Sequence, residues 1–173
     1  DLTFAHAPVP AATVVNGETG VTQTNITTVN GVLNLGPMLS RQPAIGINDS
    51  LPVPDIGMPV IDQFNVEFDR ADRRVAFQPR FQGNQFQVPG IVTPGFSVTF
   101  GDERLVRFVT PDMQPARLGM RSGDVIATIN GRPASQMNYR TWDALLEARR
   151  PIAITWTGAG ATKSATFPVI ELR

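Results

Sequence analysis

The stretch Pro115-Ala116-Arg117-Leu118-Gly119-Met120-Arg121-Ser122-Gly123-Asp124-Val125-Ile126-Ala127-Thr128-Ile129-Asn130-Gly131 decides how this chain is read. Pro115 suits the first turn of a helix, where its missing N–H is an orphan donor in any case. Gly119 ends that turn, because glycine enters the left-handed region without a Cβ clash. Gly123-Asp124 makes a tight turn, and Val125 to Ile129 leaves it as a strand. Asn130-Gly131 then gives the strongest two-residue hairpin signal. Short helix, strand and hairpin in such close order predict a mainly β domain with short helices.

Working outward, Tyr139 to Arg149 carries Trp142, Leu145, Leu146 and Arg149 at helical spacing, and Pro151 ends that helix. Ile152, Ile154 and Trp156 alternate as a strand. Thr157-Gly158-Ala159-Gly160 turns into a last strand with Phe167 and Val169 inward. Upstream, Phe96, Val98 and Phe100 alternate with Ser97 and Thr99, and Leu105 to Val109 is a second apolar run. Further upstream, Pro79 to Gln85, Pro89-Gly90 and Pro94-Gly95 are punctuators without periodicity. The expected division is therefore a first piece at 1–79, a connector at 80–90 and a second domain at 91–173.

Pro115 to Gly131 resembles the PDZ signature P-A-x-x-A-G-L-x-x-G-D-x-I-x-x-I-N-G, with Leu118 where the family usually has Ala. Gly123, Asp124, Asn130 and Gly131 are its structural positions. The resemblance spans some 80 residues. It implies a partly open β-barrel with two helices that binds extended peptide, usually a C-terminal tail, by strand addition at a sheet edge. Carried over by position, the carboxylate loop is Pro94-Gly95-Phe96 and the edge strand runs from Phe96 through Ser97 and Val98 to Phe100. Trp142 and Leu146 on the helix are candidates to face the peptide; packing in the core is the alternative for both. Proline supplies no N–H, so Pro94 weakens carboxylate capture.

The first piece reads as hairpins. Val14-Val15, Asn16-Gly17 and Val21 to Thr27 form one, and Val29, Val32-Leu33 and Leu35-Gly36 follow around Asn30-Gly31. Pro52 to Ile61 is an apolar loop leading to a short helix. Phe64, Val66 and Phe68 alternate as a strand, Asp69 to Arg73 turns, and Val75-Ala76-Phe77 returns. Asp55-Ile56-Gly57-Met58-Pro59-Val60-Ile61, Phe64-Asn65-Val66-Glu67-Phe68-Asp69 and Arg73-Arg74-Val75-Ala76-Phe77 resemble the C-terminal half of a bacterial retropepsin-like aspartic protease lobe. Ile56 and Gly57 are the structural positions of that motif. Lobe followed by PDZ domain is an order found in such bacterial proteins.

Aspartic proteases need two carboxylates sharing a proton to activate water. The family presents each on Asp-Thr-Gly or Asp-Ser-Gly, and neither occurs in the 173 residues. Glu18-Thr19-Gly20 is the nearest string. It sits in a polar hairpin without two apolar residues before it, so it is rejected as catalytic. The catalytic turn is expected upstream of Asp1. Asp1-Leu2-Thr3 lacks Met, a basic region and an apolar region, so the chain is expected to begin after processing or to be a fragment.

Composition removes other chemistries. The chain has no cysteine, which excludes disulfides, Cys-zinc sites and thiol catalysis. One histidine, His6, excludes a multi-His metal centre and argues against a Ser-His-Asp triad, and no cofactor is implied. Fifteen basic and fifteen acidic residues cancel, leaving no field for nucleic acid or an anionic membrane. The balance hides net −3 over residues 1–85 and net +3 over 86–173. No apolar run approaches the roughly 18 residues of a membrane span. Absent cysteine permits an oxidising compartment, periplasmic or secreted. Asp69, Asp72, Arg70, Arg73 and Arg74 read as a solvated turn. Asn25-Ile26-Thr27 and Asn48-Asp49-Ser50 match the glycosylation sequon, a match common by chance.

The leading expectation is a C-terminal fragment of an aspartic-protease-like protein, inactive alone, whose PDZ domain binds peptide or a protein C-terminus. The alternative is a non-enzymatic PDZ interaction protein with a degenerate β domain. A PDZ adaptor of a serine protease is weaker, since nothing in 1–79 resembles a serine protease. A lobe lacking its first strands leaves edges open, a template for pairing. A cleaved upstream segment, a swapped domain or a homodimer partner is expected to cover them.

Overall fold

The computed structural model describes residues 3–16, 20–48 and 56–173, with the backbone alone at 12–16 and 20–23. The chain is mainly β with short helices, and no sheet closes into a barrel among the described residues. It divides into two compact units. The first is Asp1–Pro8, Ile26–Gly90 and Arg173, and the second is Val9–Asn25 and Ile91–Leu172. The sequence reading gave the whole of 1–79 to one piece; nothing local in Val9–Asn25 signals that it joins the later unit.

The chain opens with β1 (Val9–Asn16) and β2 (Gly20–Thr28), then β3 (Val32–Leu35), β4 (Met38–Arg41) and β5 (Ala44–Ile47). A three-stranded sheet has the order β1–β2–β5. β3 and β4 form a hairpin in which Leu35 faces Met38 and Gly36 turns at φ +59°. The Glu18-Thr19 pair, Gly17, Asp49-Ser50 and Pro52 to Asp55 lie outside the described residues.

In the first unit α1 (Met58–Ile61) starts after Gly57, with Pro59 in its first turn. β6 (Phe64–Asp69) and β7 (Arg74–Pro79) follow as an antiparallel hairpin, Phe64 opposite Pro79 and Asp69 opposite Arg74. The Asp69 carboxylate accepts from the Ala71 and Asp72 N–H groups at 2.9 and 3.0 Å, which closes the turn locally. Alternation puts Phe64, Val66 and Phe68 on one face. Phe64 is the centre of the core and packs edge-on against Phe77, Phe81 and Phe86 at 5.5–5.9 Å. Phe86 is held by its N–H on Leu39 O at 3.0 Å. The cover then runs out along the strand: Phe64 is 2% exposed and Phe68 is 72% exposed.

The second unit is built from β8 (Ile91–Thr93), β9 (Phe96–Val98), β10 (Val106–Val109), α2 (Gln114–Arg117), β11 (Val125–Ile129), β12 (Arg132–Pro133), α3 (Tyr139–Glu147), β13 (Ile152–Gly158), β14 (Ala161–Phe167) and β15 (Ile170–Leu172). The sheets are β12–β11–β13–β14, β10–β9 and β15–β8. β1 runs alongside β9 and β10 without joining their sheet. Asn130 and Gly131 turn at φ +50° and +76°, as a type I′ hairpin requires. Asn130 also accepts the Ala153 N–H on Oδ1 at 2.9 Å. Ile152, Ile154 and Trp156 alternate into the core with Phe96, Val106, Ile126, Ile129, Trp142 and Phe167. α3 is entered through a reciprocal cap, Thr141 N–H to Asn138 Oδ1 and Asn138 N–H to Thr141 Oγ1.

Asp124 is buried at 9% exposure, and its carboxylate accepts the Arg121 N–H at 2.9 Å. Gly158 leaves room for it: a Cβ there would overlap the Asp124 carboxylate. Gly158→Ala is therefore expected to lower stability by about 1–3 kcal/mol, the cost of overpacking. In the first unit Phe64→Ala is expected to cost about 3–5 kcal/mol. Phe68→Ala should stay within about 0.5 kcal/mol. Urea unfolding of the three variants checks all three values.

Candidate functional site

The β9 backbone decides what this surface can do. Gly95 O accepts the Thr110 N–H at 2.8 Å, and the Thr99 N–H reaches Leu105 O at 2.9 Å. Gly95 through its carbonyl, and residues 97 and 99 by alternation, therefore face the β10 side. By alternation, the N–H and C=O of Phe96 and Val98 point to the opposite edge. The partner strand agrees: Val106, opposite Val98, sends its N–H to Asp124 O and takes the Gly123 N–H, both at 2.8 Å and away from β9. β9 has β10 as its one strand partner among the described residues, so its second edge carries no ladder.

α3 stands across from this edge through ring contacts. Trp142 meets Phe96 at 5.9 Å and Phe100 at 6.5 Å, and Tyr139 meets Phe100 edge-on at 6.1 Å. Trp142 is 5% exposed and belongs to the core; Leu146 is half-buried and packs on the same cluster. Tyr139 is exposed at the entry of the helix. The ring wall is thus Phe100, Trp142 and Tyr139. Trp142 takes the core alternative of the sequence reading, because its indole fills the space between strand and helix.

Arg104 fixes the far end. Its guanidinium sits over the Phe100 ring at 5.6 Å and donates to Met137 O at 2.8 and 3.0 Å. It also donates to Ser135 O and Gly101 O. The loop after β9 is thereby tied to the segment that enters α3. Sequence reasoning missed Arg104, since Asp102-Glu103 beside it reads as turn chemistry and the Met137 and Ser135 carbonyls lie more than thirty positions away.

The near end is packed. Thr93, Pro94, Gly95 and Phe96 are all buried. Gly95 adopts φ +93°, and a Cβ on it would lie 3.0 Å from Met113 Cε and 3.1 Å from Pro115 Cδ. Its N–H turns inward to Thr93 Oγ1 at 3.0 Å. Ser97 lies opposite Phe108 with its side chain on the other face from Phe96 and Val98. Its Oγ is buried without a hydrogen-bond partner.

The remaining candidates separate from this edge. Gly123 turns at φ +92° and, with Asp124, Asn130 and Gly131, shapes β11. Gly57 is extended at φ −68° before α1, and Ile56 is exposed at 43%. His6 is exposed, its Nδ1 2.8 Å from Ala7 O. No cluster of three or more His, Asp or Glu that could hold a metal occurs among the described residues. Trp156 is core packing at 1% exposure. A shallow open groove at the β6–β7 tip, lined by Phe68, Asp69, Arg70, Arg73, Arg74 and Val75, has no converging catalytic set.

No protein-family profile and no curated protein matches the chain. Solved structures do. A PDZ domain protein from Parabacteroides distasonis ATCC 8503 aligns at 19% identity and TM-score 0.40, over 47% of this chain and 20% of that one. An HtrA-type protease, AlgW with decapeptide, aligns at 18% and 0.40, over 96% and 55%. A serine endoprotease from Yersinia pestis aligns at 18% and 0.39, over 99% and 64%. The chain thus spans less than two thirds of each. The second unit has the β-rich, two-helix arrangement that the PDZ resemblance implies.

Because Gly95 is held by both a positive φ and Met113 and Pro115, Gly95→Ala is expected to cost about 2 kcal/mol or more. A thermal melt of the variant, read by the fluorescence of Trp142 and Trp156, checks it.

Proposed function

We propose that the second unit binds an extended peptide by strand addition along the edge of β9 that faces away from β10, with α3 as the opposite wall. The observation that carries this is the alternation at Phe96 and Val98: their N–H and C=O groups face an edge that carries no ladder among the described residues. An incoming strand gains main-chain hydrogen bonds there, and side-chain positions on either side supply selectivity. Among the residues carried over from the resemblance, Phe96 and Val98 act through their backbone. Ser97 is the spacer between them, Leu146 and Trp142 support the helix wall, and Pro94 and Gly95 set where the edge begins. Phe100 and Tyr139 line its far end.

We further read the first unit as part of a retropepsin-like lobe that does not hydrolyse peptides in this chain. Its support is the motif from Ile56 to Phe77: α1 follows Gly57, and the β6–β7 hairpin follows α1, the order that the resemblance implies. The sequence has no Asp-Thr-Gly or Asp-Ser-Gly to activate water. The chain is expected to leave acid-protease substrates intact; turnover by pure protein overturns that reading.

Amide hydrogen exchange tests the peptide site. Titration of a degenerate decapeptide library should slow exchange at Val98, and leave Ser97 and Thr99, already turned to β10, unchanged. Val98→Pro removes one donor from the outer edge and no bond to β10; it should weaken binding about two- to tenfold, the worth of one hydrogen bond. Binding that leaves the Val98 amide unchanged and perturbs another surface overturns the proposal.

A further inference from the structure

We infer that the β9 edge takes an internal, uncharged stretch of extended chain and not the terminal carboxylate of a partner. The inference rests on the strand-addition reading above and adds the class of ligand.

Holding a carboxylate at the start of an edge strand takes several converging N–H groups that face the ligand. Here the chain supplies almost none. Pro94 has no N–H. The Gly95 N–H is spent on Thr93 Oγ1 at 3.0 Å, inside the unit. Neither residue can swing out to change this. Pro94 is fully buried, and Gly95 is pressed against the side chains of Met113 and Pro115. Thr93 is buried too, and its hydroxyl is already engaged as the acceptor. Only the Phe96 N–H remains directed at the edge, beside a buried phenylalanine.

A carboxylate brought here would lose its water and find one donor in place of several. Burying a charge without matched partners is strongly unfavourable. A peptide amide brought to the same place loses little. It is neutral, and it needs only one donor and one acceptor, which is what the alternating backbone of β9 offers. From Ser97 to Phe100 the chain is half-buried and the helix wall is aromatic, so the rest of the edge still suits an extended chain. The geometry therefore selects against a chain end and for a segment that passes through.

The test uses the full chain, isotopically labelled, and one degenerate decapeptide library made in two forms, free acid and C-terminal amide. The readout is half-saturation of the Val98 amide shift. The expected result is that the amide form saturates the site at no more than about three times the concentration needed by the acid. A larger advantage for the acid overturns the inference and leaves strand addition standing. Binding of both forms elsewhere, with the Val98 amide unmoved, overturns strand addition and the inference with it. A second arm reads the cause. Thr93→Val with Pro94→Gly frees the Gly95 N–H and adds another, so the double variant should gain at least tenfold preference for the acid. Far-ultraviolet circular dichroism confirms its fold. A folded double variant with no gain removes the proposed cause and counts against the inference.

Discussion

The close approach at Gly95 is the constraint on which the second unit turns. A left-handed glycine lets the chain reverse between β8 and β9 while Met113 and Pro115 occupy the volume a side chain would need. That reversal sets the phase of β9. Once Gly95 O is paired with Thr110, the two-residue period of the strand leaves no freedom: Ser97 and Thr99 must follow it toward β10, and Phe96 and Val98 must face away. The same phase sends the Phe96 side chain into the core against Trp142 and Phe167. Core packing and the open edge are thus two consequences of one turn. A slip by one residue would bury the polar set and expose the apolar one.

The first unit depends on a different kind of constraint, the burial of one aromatic ring. Phe64 collects Phe77 from its own hairpin and Phe81 and Phe86 from the chain that follows. The contacts come from residues near in sequence, so the cluster closes a small loop at modest entropic cost. What it cannot do is cover the whole face of β6. Apolar character continues to Phe68 and Val75 after the covering residues end. The periodicity of the strand is therefore longer than the core it serves, which is why the sequence reads as a strand of a larger layer.

Much of this was legible in the residues. Asn130-Gly131, Pro115, Gly119 and Pro151 are punctuation whose physics is local, and the turn, both helix boundaries and the strands between them fall close to where those residues place them. The alternation at Phe96, Val98 and Phe100 placed a strand for the same reason, but β9 itself ends at Val98. What was not legible depends on contacts between distant positions. Arg104 works through carbonyls of Met137 and Ser135, which no local pattern announces. Trp142 at helical spacing is equally compatible with a groove wall and a core residue; only its meeting with Phe96 and Phe100 decides. β4 and β5 passed unread because Met38 to Ile47 has neither strict alternation nor a strong turn signal. The companionship of Val9–Asn25 with the later unit is a tertiary fact without a sequence signature.

The loop before β9 shows how a substitution can change what a site recognises without changing its frame. A strand edge requires only that the backbone be extended and its outer groups free, and many residues satisfy that. A nest for an anion requires consecutive N–H groups pointing the same way, and a single proline deletes one while constraining its neighbours. Pro94 removes the first donor, and Thr93 turns the next one inward by offering it a better partner. The packing that results is tight enough to bury four residues in a row. Stability at this turn and anion capture at the same turn draw on the same N–H group, so they compete. Here the bond inside the unit has it, and on the proposed reading the edge beyond recognises backbone alone.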